Sequence, residues 1–343
     1  MNQEWIDFLN RQGLSSDARN FGNPVEELRN TQAATTLTPL NDIGLIRASG
    51  PDAAVFLHNL LTNDIEGLTR DSVRRCGMCT PKGRLLASML VWHDGDDLLV
   101  ALAADIHAAL LKKLSMYVLR AKVKLTDASD ARVLLGLSGP QAAAALGELG
   151  SIPATAMQIT QIQAPQGQIV RLGEMRFLLA LDSAAAPAIW EKLATQASPA
   201  GLDAWHWLEI ITGLPQITAA TQEAFIPQMI NFEVAAVGGV SFKKGCYPGQ
   251  EIVARTQYLG KVKRRMYRAH IESATSLPLA GAHLYAPETG EQPCGQVVNA
   301  APAPGGGFEL LAVLQTTCTE GGELHLDNPA GPRLILQPLP YTV

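Results

Sequence analysis

The sequence is poor in cysteine, in charge and in long apolar runs, and each shortage excludes a class of protein. Its five cysteines are few and odd in number, which argues against a disulfide framework and fits a reducing cytoplasm. The longest apolar run, residues 85–92, is well short of the ~18 residues of a membrane span. The opening MNQEWIDFLN lacks the basic start of a signal peptide. We predict a cytoplasmic protein that does not enter a membrane.

The sequence also lacks the short motifs of several enzyme classes. It contains no GxxxxGK, HExxH, GxSxG or GxGxxG pattern. Nucleotide hydrolysis, zinc proteolysis, serine hydrolysis and dinucleotide redox chemistry therefore lose support. The net charge of −5 argues against a dedicated nucleic-acid-binding protein, because such domains are usually basic.

What is present predicts a soluble α+β protein. With 47% hydrophobic and 17% charged residues, 343 residues are enough for two or three domains. The patterns predict a helix over 1–13, a loop over 14–39, strands near 74–80, 85–92 and 97–103, and a helix over 105–119. From residue 132 the order strand, helix, strand, strand, helix is typical of a ferredoxin-like layer. From residue 269, short runs between prolines and glycines predict a small β-barrel or sandwich.

One basic stretch stands out, residues 238–268. Residues 242–268 carry eight Lys or Arg and a single acid, Glu251, so they sum to +7 while the rest of the chain sums to −12. Its basic run, residues 261–268, is either a solvated face or a site for phosphates or carboxylates.

The same stretch contains the sequence KGCYPGQE, residues 244–251, which we call the KGCYPGQE loop. Its glycines and Pro248 predict a loop that feeds a helix over about 248–257. A helix start and the adjacent Lys243 and Lys244 would favour anions and the thiolate form of Cys246. Cys246 is therefore a candidate reactive thiol. The alternative is a buried structural cysteine in a basic loop.

A second cysteine motif, Cys76-Gly77-Met78-Cys79, lies in a predicted strand. Zinc would need four ligands, and no second CxxC or HxxxH is available to supply them. Residues three apart in a strand point to opposite faces, which disfavours a redox dithiol. We expect a structural role and no metal site.

The KGCYPGQE loop resembles the signature of the YgfZ family, folate-binding relatives of the glycine-cleavage T-protein. Further segments resemble those of the family, namely SGPDA (49–53), LTND (61–64), TPKGR (80–84), GLP (213–215) and FIPQ (225–228). The resemblance implies three domains around a central channel that binds tetrahydrofolate. It also implies a role in assembling or maintaining iron–sulfur clusters in client enzymes, including a tRNA-thiolating one.

Two positions depart from the family's pattern. The T-protein has its catalytic aspartate in a segment like GGVIDDLIV, whereas residues 83–93 read GRLLASMLVWH and contain no acid. Aminomethyl transfer is therefore disfavoured, so we do not expect an enzyme of that kind. Ile211 stands where many relatives have a glutamate that contacts the pterin, and Glu209 is the candidate substitute.

The resemblance also indicates which residues would hold the folate. Trp205 or Trp207 would line the channel, while Lys243, Lys244 and the basic run would attract the glutamate tail. The remaining candidate contacts are Gly245, Tyr247, Gln250, Glu251 and Arg255. The expected cofactor is tetrahydrofolate or a one-carbon or polyglutamyl derivative.

Pattern and resemblance together divide the chain into four segments. They are an α+β domain of the folate-binding type (1–130, interleaved with 200–260), a ferredoxin-like domain (131–200), the signature segment (201–268) and the barrel (269–343). The expected partners are iron–sulfur client proteins or assembly machinery, for a monomer without direct nucleic-acid binding. The alternatives are a tetrahydrofolate-dependent aminomethyltransferase-like enzyme and a tRNA-binding module that uses the basic run.

Overall fold

The structure is a computed structural model that describes residues 2–162, 166–272 and 274–343; Met1, residues 163–165 and Ser273 lie outside the described residues. The strands form a six-stranded sheet, a five-stranded sheet and a closed barrel. The chain divides into two compact units: the first unit comprises residues 1–54, 67–74 and 90–205, and the second unit comprises 55–66, 75–89 and 206–343. The predicted mixed class with a C-terminal barrel is confirmed, while the four-segment division and the central channel stay predictions.

The helices are α1 (Gln3–Arg11), α2 (Pro24–Ala33), α3 (Ala53–His58), α4 (Ala104–Tyr117), α5 (Ala142–Gly147), α6 (Ala186–Leu193), α7 (Leu202–Ile211) and α8 (Gln250–Tyr258). The strands of the two open sheets are β1 (Thr36–Pro39), β2 (Ile43–Ser49), β3 (Val73–Cys79), β4 (Leu85–Asp94), β5 (Asp97–Ala103), β6 (Lys124–Asp127), β7 (Arg132–Ser138), β8 (Ile159–Ile162), β9 (Gly167–Arg171), β10 (Arg176–Asp182) and β11 (Ser198–Pro199). The barrel strands are β12 (Arg264–Ile271), β13 (His283–Tyr285), β14 (Gly295–Pro302), β15 (Phe308–Gln315), β16 (Leu324–Leu326) and β17 (Arg333–Gln337). In the described parts of the chain, no helix combines the length and the apolarity that crossing a membrane requires.

The six-stranded sheet of the first unit has the order β11-β1-β7-β10-β9-β8. Strand β10 lies between β7 and β9 and is antiparallel to both, which is the arrangement of a split βαβ layer. Its core contains Leu135, Phe177 and Trp190, and α1 adds Trp5 and Phe8. The predicted ferredoxin-like layer is confirmed.

The prediction of a loop over residues 14–39 is wrong, because that segment contains α2 and β1. Asn23 caps α2 by accepting the Glu26 N–H, and Pro24 occupies the first turn. These start signals were present in the sequence. Strand β1 has only four residues, and it is defined by pairing with β7 and β11, which are remote in sequence.

The five-stranded sheet has the order β3-β4-β5-β2-β6. A tight turn at Gly95, with φ of 65°, joins β4 to β5. Strand β3 carries the CxxC, and the turn from β3 into β4 contains the TPKG residues 80–83. The sheet therefore positions two of the segments that the sequence singles out.

The barrel closes in the order β12-β15-β14-β13-β16-β17. Its first strand begins at Arg264, five residues before the expected start at 269, because Met266 is already buried. Ala269 and Ile271 continue the buried positions of β12, and β15 contributes Leu310 and Leu314 to the same core. The second half of the basic run is thus part of a barrel strand.

Candidate functional site: the KGCYPGQE loop

The buried side chain of Thr62 fixes the chain that enters the KGCYPGQE loop. Its hydroxyl donates to the Gly239 carbonyl at 2.6 Å and accepts the Gly77 N–H at 2.7 Å. The Thr62 carbonyl accepts the Ser241 N–H at 2.9 Å. The neighbouring Asn63 side chain donates to the Gly238 carbonyl at 2.9 Å. The LTND segment, residues 61–64, therefore holds residues 238–241 against β3.

The far end of the loop packs against the TPKG turn. Gly249 has a φ of 82°, and a β-carbon there would lie 2.3 Å from the Thr80 carbonyl oxygen and 2.7 Å from Gly83 Cα. Only glycine fits this left-handed, closely packed position. Because Gly249 departs from helical geometry, α8 begins at Gln250, two residues later than predicted. The structure thus brings together three segments that are separate in the sequence.

The Lys244 side chain turns under the loop. Its ammonium donates to the Leu61 carbonyl at 2.6 Å and also to the carbonyl of His58. The ammonium lies 5.0 Å from the centroid of the Tyr247 ring. Burial lowers the pKa of Lys244 to about 8, against the opposing effect of nearby negative groups. The amine is therefore held within the protein, whereas an anion-attracting lysine would extend into solvent.

His58, the last residue of α3, is buried between two carboxylates. Its Nδ1 lies 3.0 Å from Asp64 Oδ1, and its Nε2 lies 3.6 Å from Glu66 Oε2. A β-carbon at Gly245 would lie 3.6 Å from the same Nε2, so the loop rests against this ring. Sequence reasoning missed His58, although its place just before the LTND segment was a usable signal.

Cys246 is exposed, and the other four cysteines are buried. This excludes the alternative of a buried structural cysteine at this position. Burial raises the pKa of Cys76 and of Cys79 to about 12, so both thiols of the CxxC are neutral at pH 7. Cys76 and Lys244 interact electrostatically. The neutral, buried CxxC agrees with the structural role expected of it.

Tyr247 is the buried aromatic residue of the loop. Burial raises the pKa of its hydroxyl, and Cys79 acts in the same direction. Its ring lies beneath the loop beside the Lys244 amine. The geometry gives Tyr247 a packing role, and its proposed contact with folate stays a prediction.

The other candidate folate contacts differ in exposure. Lys243, Glu251 and Arg255 are exposed, whereas Gln250 is half-buried at the start of α8. On α7, Trp207 is buried and Glu209 is half-buried. Their contacts with folate stay predictions.

The basic run separates into two sets. Arg265 pairs with Glu233, and Arg268 pairs with Glu309, whose Oε2 lies 2.8 Å from the arginine Nε. These two arginines belong to the packing of the barrel strand β12. Three cations of the run are exposed: Lys261, Lys263 and Arg264.

Strand β4 carries the residues that stand in place of the T-protein aspartate. Counted from Gly83, the two positions that are Asp-Asp in GGVIDDLIV are Ala87 and Ser88, and both are buried. The Ser88 hydroxyl accepts the Ile217 N–H at 2.8 Å. A neutral methyl group and a hydroxyl engaged in a structural hydrogen bond cannot supply the missing charge.

Comparisons with known proteins define the class first. The sequence model described as "GCVT N-terminal domain" matches residues 11–237. The glycine cleavage system aminomethyltransferase T from Bartonella henselae has the same fold, with a TM-score of 0.81 over 100% of this chain and 98% of that one, at 21% identity. The chain therefore has the fold of the T-protein.

Curated relatives then narrow the class. A "tRNA-modifying protein YgfZ" from Serratia proteamaculans (strain 568) is 32% identical over 323 residues, which cover 93% of this chain and 96% of the relative. One from Yersinia pseudotuberculosis serotype IB (strain PB1/+) is 34% identical over 311 residues, covering 90% and 93%. The chain belongs to the YgfZ family.

The close contact at Gly249 gives a test of how the loop is positioned. Gly249→Ala would strain a left-handed backbone and press a methyl group onto the Thr80 carbonyl, so we expect a loss of roughly 1–3 kcal/mol in the free energy of unfolding. The matched control is Gly245→Ala, whose new methyl would meet only ordinary contacts at 3.6 Å. Urea unfolding followed by circular dichroism measures both. Equal midpoints for the two variants would contradict this role of Gly249.

Proposed function

We propose that this protein binds tetrahydrofolate, or a one-carbon or polyglutamyl derivative of it, and supports the assembly or maintenance of iron–sulfur clusters in client enzymes. The observation that carries the proposal is the KGCYPGQE loop of a YgfZ-family chain, which presents the exposed Cys246 on a firmly anchored backbone. Because the curated relatives carry the name "tRNA-modifying protein YgfZ", we extend the proposal to client enzymes that modify tRNA.

The charges near the loop suit the polyglutamyl tail of a folate. Lys243 and Arg255 are exposed beside it, and Lys261, Lys263 and Arg264 follow α8. Clustered cations raise the local concentration of a polyanion such as a chain of glutamates. We assign tail recognition to these exposed cations and exclude Lys244, since its amine bonds to carbonyl oxygens within the protein.

The residue expected to contact the pterin ring of the folate is less well suited to it. Ile211 offers no acceptor for pterin N–H groups, and a buried donor left unpaired costs about 1–3 kcal/mol. We propose that Glu209, two residues earlier on α7, takes this role. Transfer of a one-carbon group is not part of the proposal, because Ala87 and Ser88 carry no charge that could act beside the folate amine.

The thiol can be tested in cells. In a strain that lacks its own member of the family, Cys246→Ala should abolish the rescue of iron–sulfur enzyme activity, and Cys246→Ser should do the same because a hydroxyl is a poor soft nucleophile. The native chain is the positive control, and circular dichroism checks that the variants fold. Full rescue by Cys246→Ala would remove the thiol from the mechanism.

Folate binding can be tested by calorimetry with mono- and polyglutamyl tetrahydrofolate. The double variant Lys261→Gln/Lys263→Gln should bind the polyglutamate roughly two- to tenfold more weakly and the monoglutamate unchanged, as expected for two exposed ion pairs. Lys122→Gln/Lys124→Gln removes the same charge from exposed positions of the first unit and is the control. Absence of binding heat for both folates would contradict the proposal, and equal losses for both would contradict tail recognition by these cations.

A further inference from the structure

We propose that the end of α8, residues 258–264, is a docking surface for an iron–sulfur client or assembly protein whose contact face is acidic around an apolar pocket. We call it the α8-end surface. The inference rests on the proposed function in taking such proteins as the partners, and it adds the place where they bind. The surface and the KGCYPGQE loop belong to the same compact unit, the second one.

Two large apolar side chains at the end of α8 face solvent. Tyr258 is 69% exposed and Leu259 is 85% exposed. The helix makes its own core contact through Val253, which is fully buried. Ile252 packs against the TPKG turn, where a β-carbon at Gly83 would lie 3.0 Å from Ile252 Cβ. Packing of the helix therefore leaves Tyr258 and Leu259 outside, and adjacent apolar side chains on a surface mark interaction sites.

This apolar pair is connected to the loop that carries the thiol. The Tyr258 ring meets the Phe242 ring edge to face, with the ring centroids 5.9 Å apart. Phe242 precedes the exposed Cys246 by four residues, which span at most ~14 Å. A protein interface of standard size covers about 800 Å² on each side, a patch roughly 30 Å across. One partner can therefore cover the α8-end surface and the thiol together.

The charges around the apolar pair define the chemistry of the partner. Between residues 242 and 264 the exposed charged side chains are one acid and five cations: Glu251, and Lys243, Arg255, Lys261, Lys263 and Arg264. A surface of this sign attracts acidic partners and disfavours basic ones. A polyglutamyl tail can use the same cations but has no use for the aliphatic Leu259, so the apolar pair calls for a further partner.

The shape of the patch favours a protein over the other polyanions. Nucleic acid would stack a base on Tyr258, but stacking gives no role to the aliphatic Leu259. A bilayer surface takes up a continuous apolar helix face, whereas α8 has already buried Val253 within the protein. An aromatic and an aliphatic side chain within a ring of cations match the centre and rim of a protein interface.

The first experiment is the rescue of iron–sulfur enzyme activity in a strain that lacks its own member of the family. Leu259→Ser should lower the rescued activity roughly fivefold or more, as expected for an anchor residue of an interface. The matched control is Leu119→Ser, which removes a leucine of the first unit that is 86% exposed and should leave rescue unchanged. Calorimetry with tetrahydrofolate should give the native affinity for Leu259→Ser, because its side chain carries no charge. Full rescue by Leu259→Ser would overturn the inference.

The second experiment identifies the class of partner. In a Cys246→Ser background the remaining four thiols are buried, so a benzophenone maleimide labels only a cysteine introduced by Leu259→Cys or, as the control, by Leu119→Cys. Illumination in extract of the rescue strain should join an acidic protein to the first position and not to the second. Lys261→Glu/Lys263→Glu should abolish that product, because the charge attraction is reversed. A product sensitive to ribonuclease, a lipid adduct, or equal products at both positions would overturn the inference.

The outcomes separate this inference from the proposed function. Failure of the native chain to rescue, or absence of folate binding, contradicts the proposed function, and the crosslinking still decides whether the α8-end surface binds an acidic protein. Rescue by the native chain together with full rescue by Leu259→Ser contradicts the docking surface alone. A variant that loses rescue and folate affinity together would place Leu259 in the folate site and would also overturn the inference.

Discussion

The position of the KGCYPGQE loop depends on the buried hydroxyl of Thr62. The chain that leads into the loop contains two adjacent glycines and makes no regular element, so it has little structure of its own. The Thr62 hydroxyl fixes this segment, because it donates to the Gly239 carbonyl and accepts the Gly77 N–H of β3. A buried hydrogen bond of this kind costs about 1–3 kcal/mol when one partner is lost. The sheet therefore fixes one end of the loop, and the contact of Gly249 with the TPKG turn fixes the other.

A loop held at both ends can present a reactive group from a defined place. Cys246 lies at the surface between the two fixed points. The side chains around it point either into the protein or into solvent. Lys244 and Tyr247 turn inward and support the loop, while Lys243 and Arg255 extend into solvent and are available to an anion. Two lysines adjacent in sequence thus have opposite orientations, and burial lowers the pKa of the inward one, Lys244.

The sequence predicts the class of fold, whereas the direction of each side chain depends on contacts that only the structure shows. The KGCYPGQE, LTND and TPKG segments were recognised one by one, and their meeting in space depends on contacts such as Thr80 to Gly249 between residues far apart in sequence. Composition shows charge and not direction, so the sequence cannot separate the inward Lys244 from the cations that face solvent. The sequence predicts a loop at residues 14–39 because β1 is too short to show a period and becomes a strand only by pairing with β7. His58 belongs to none of the recognised motifs, and only the structure shows that its ring lies between Asp64 and Glu66.

We propose that the folate site and the thiol of the KGCYPGQE loop work as one site. The most direct test is the rate of Cys246 alkylation in the native protein, measured with increasing polyglutamyl tetrahydrofolate. If folate binds beside the loop, alkylation should slow in a saturable way, with half of the effect at the folate concentration that gives half-saturation by calorimetry. An alkylation rate that stays constant while calorimetry shows the folate site to be full would contradict the account.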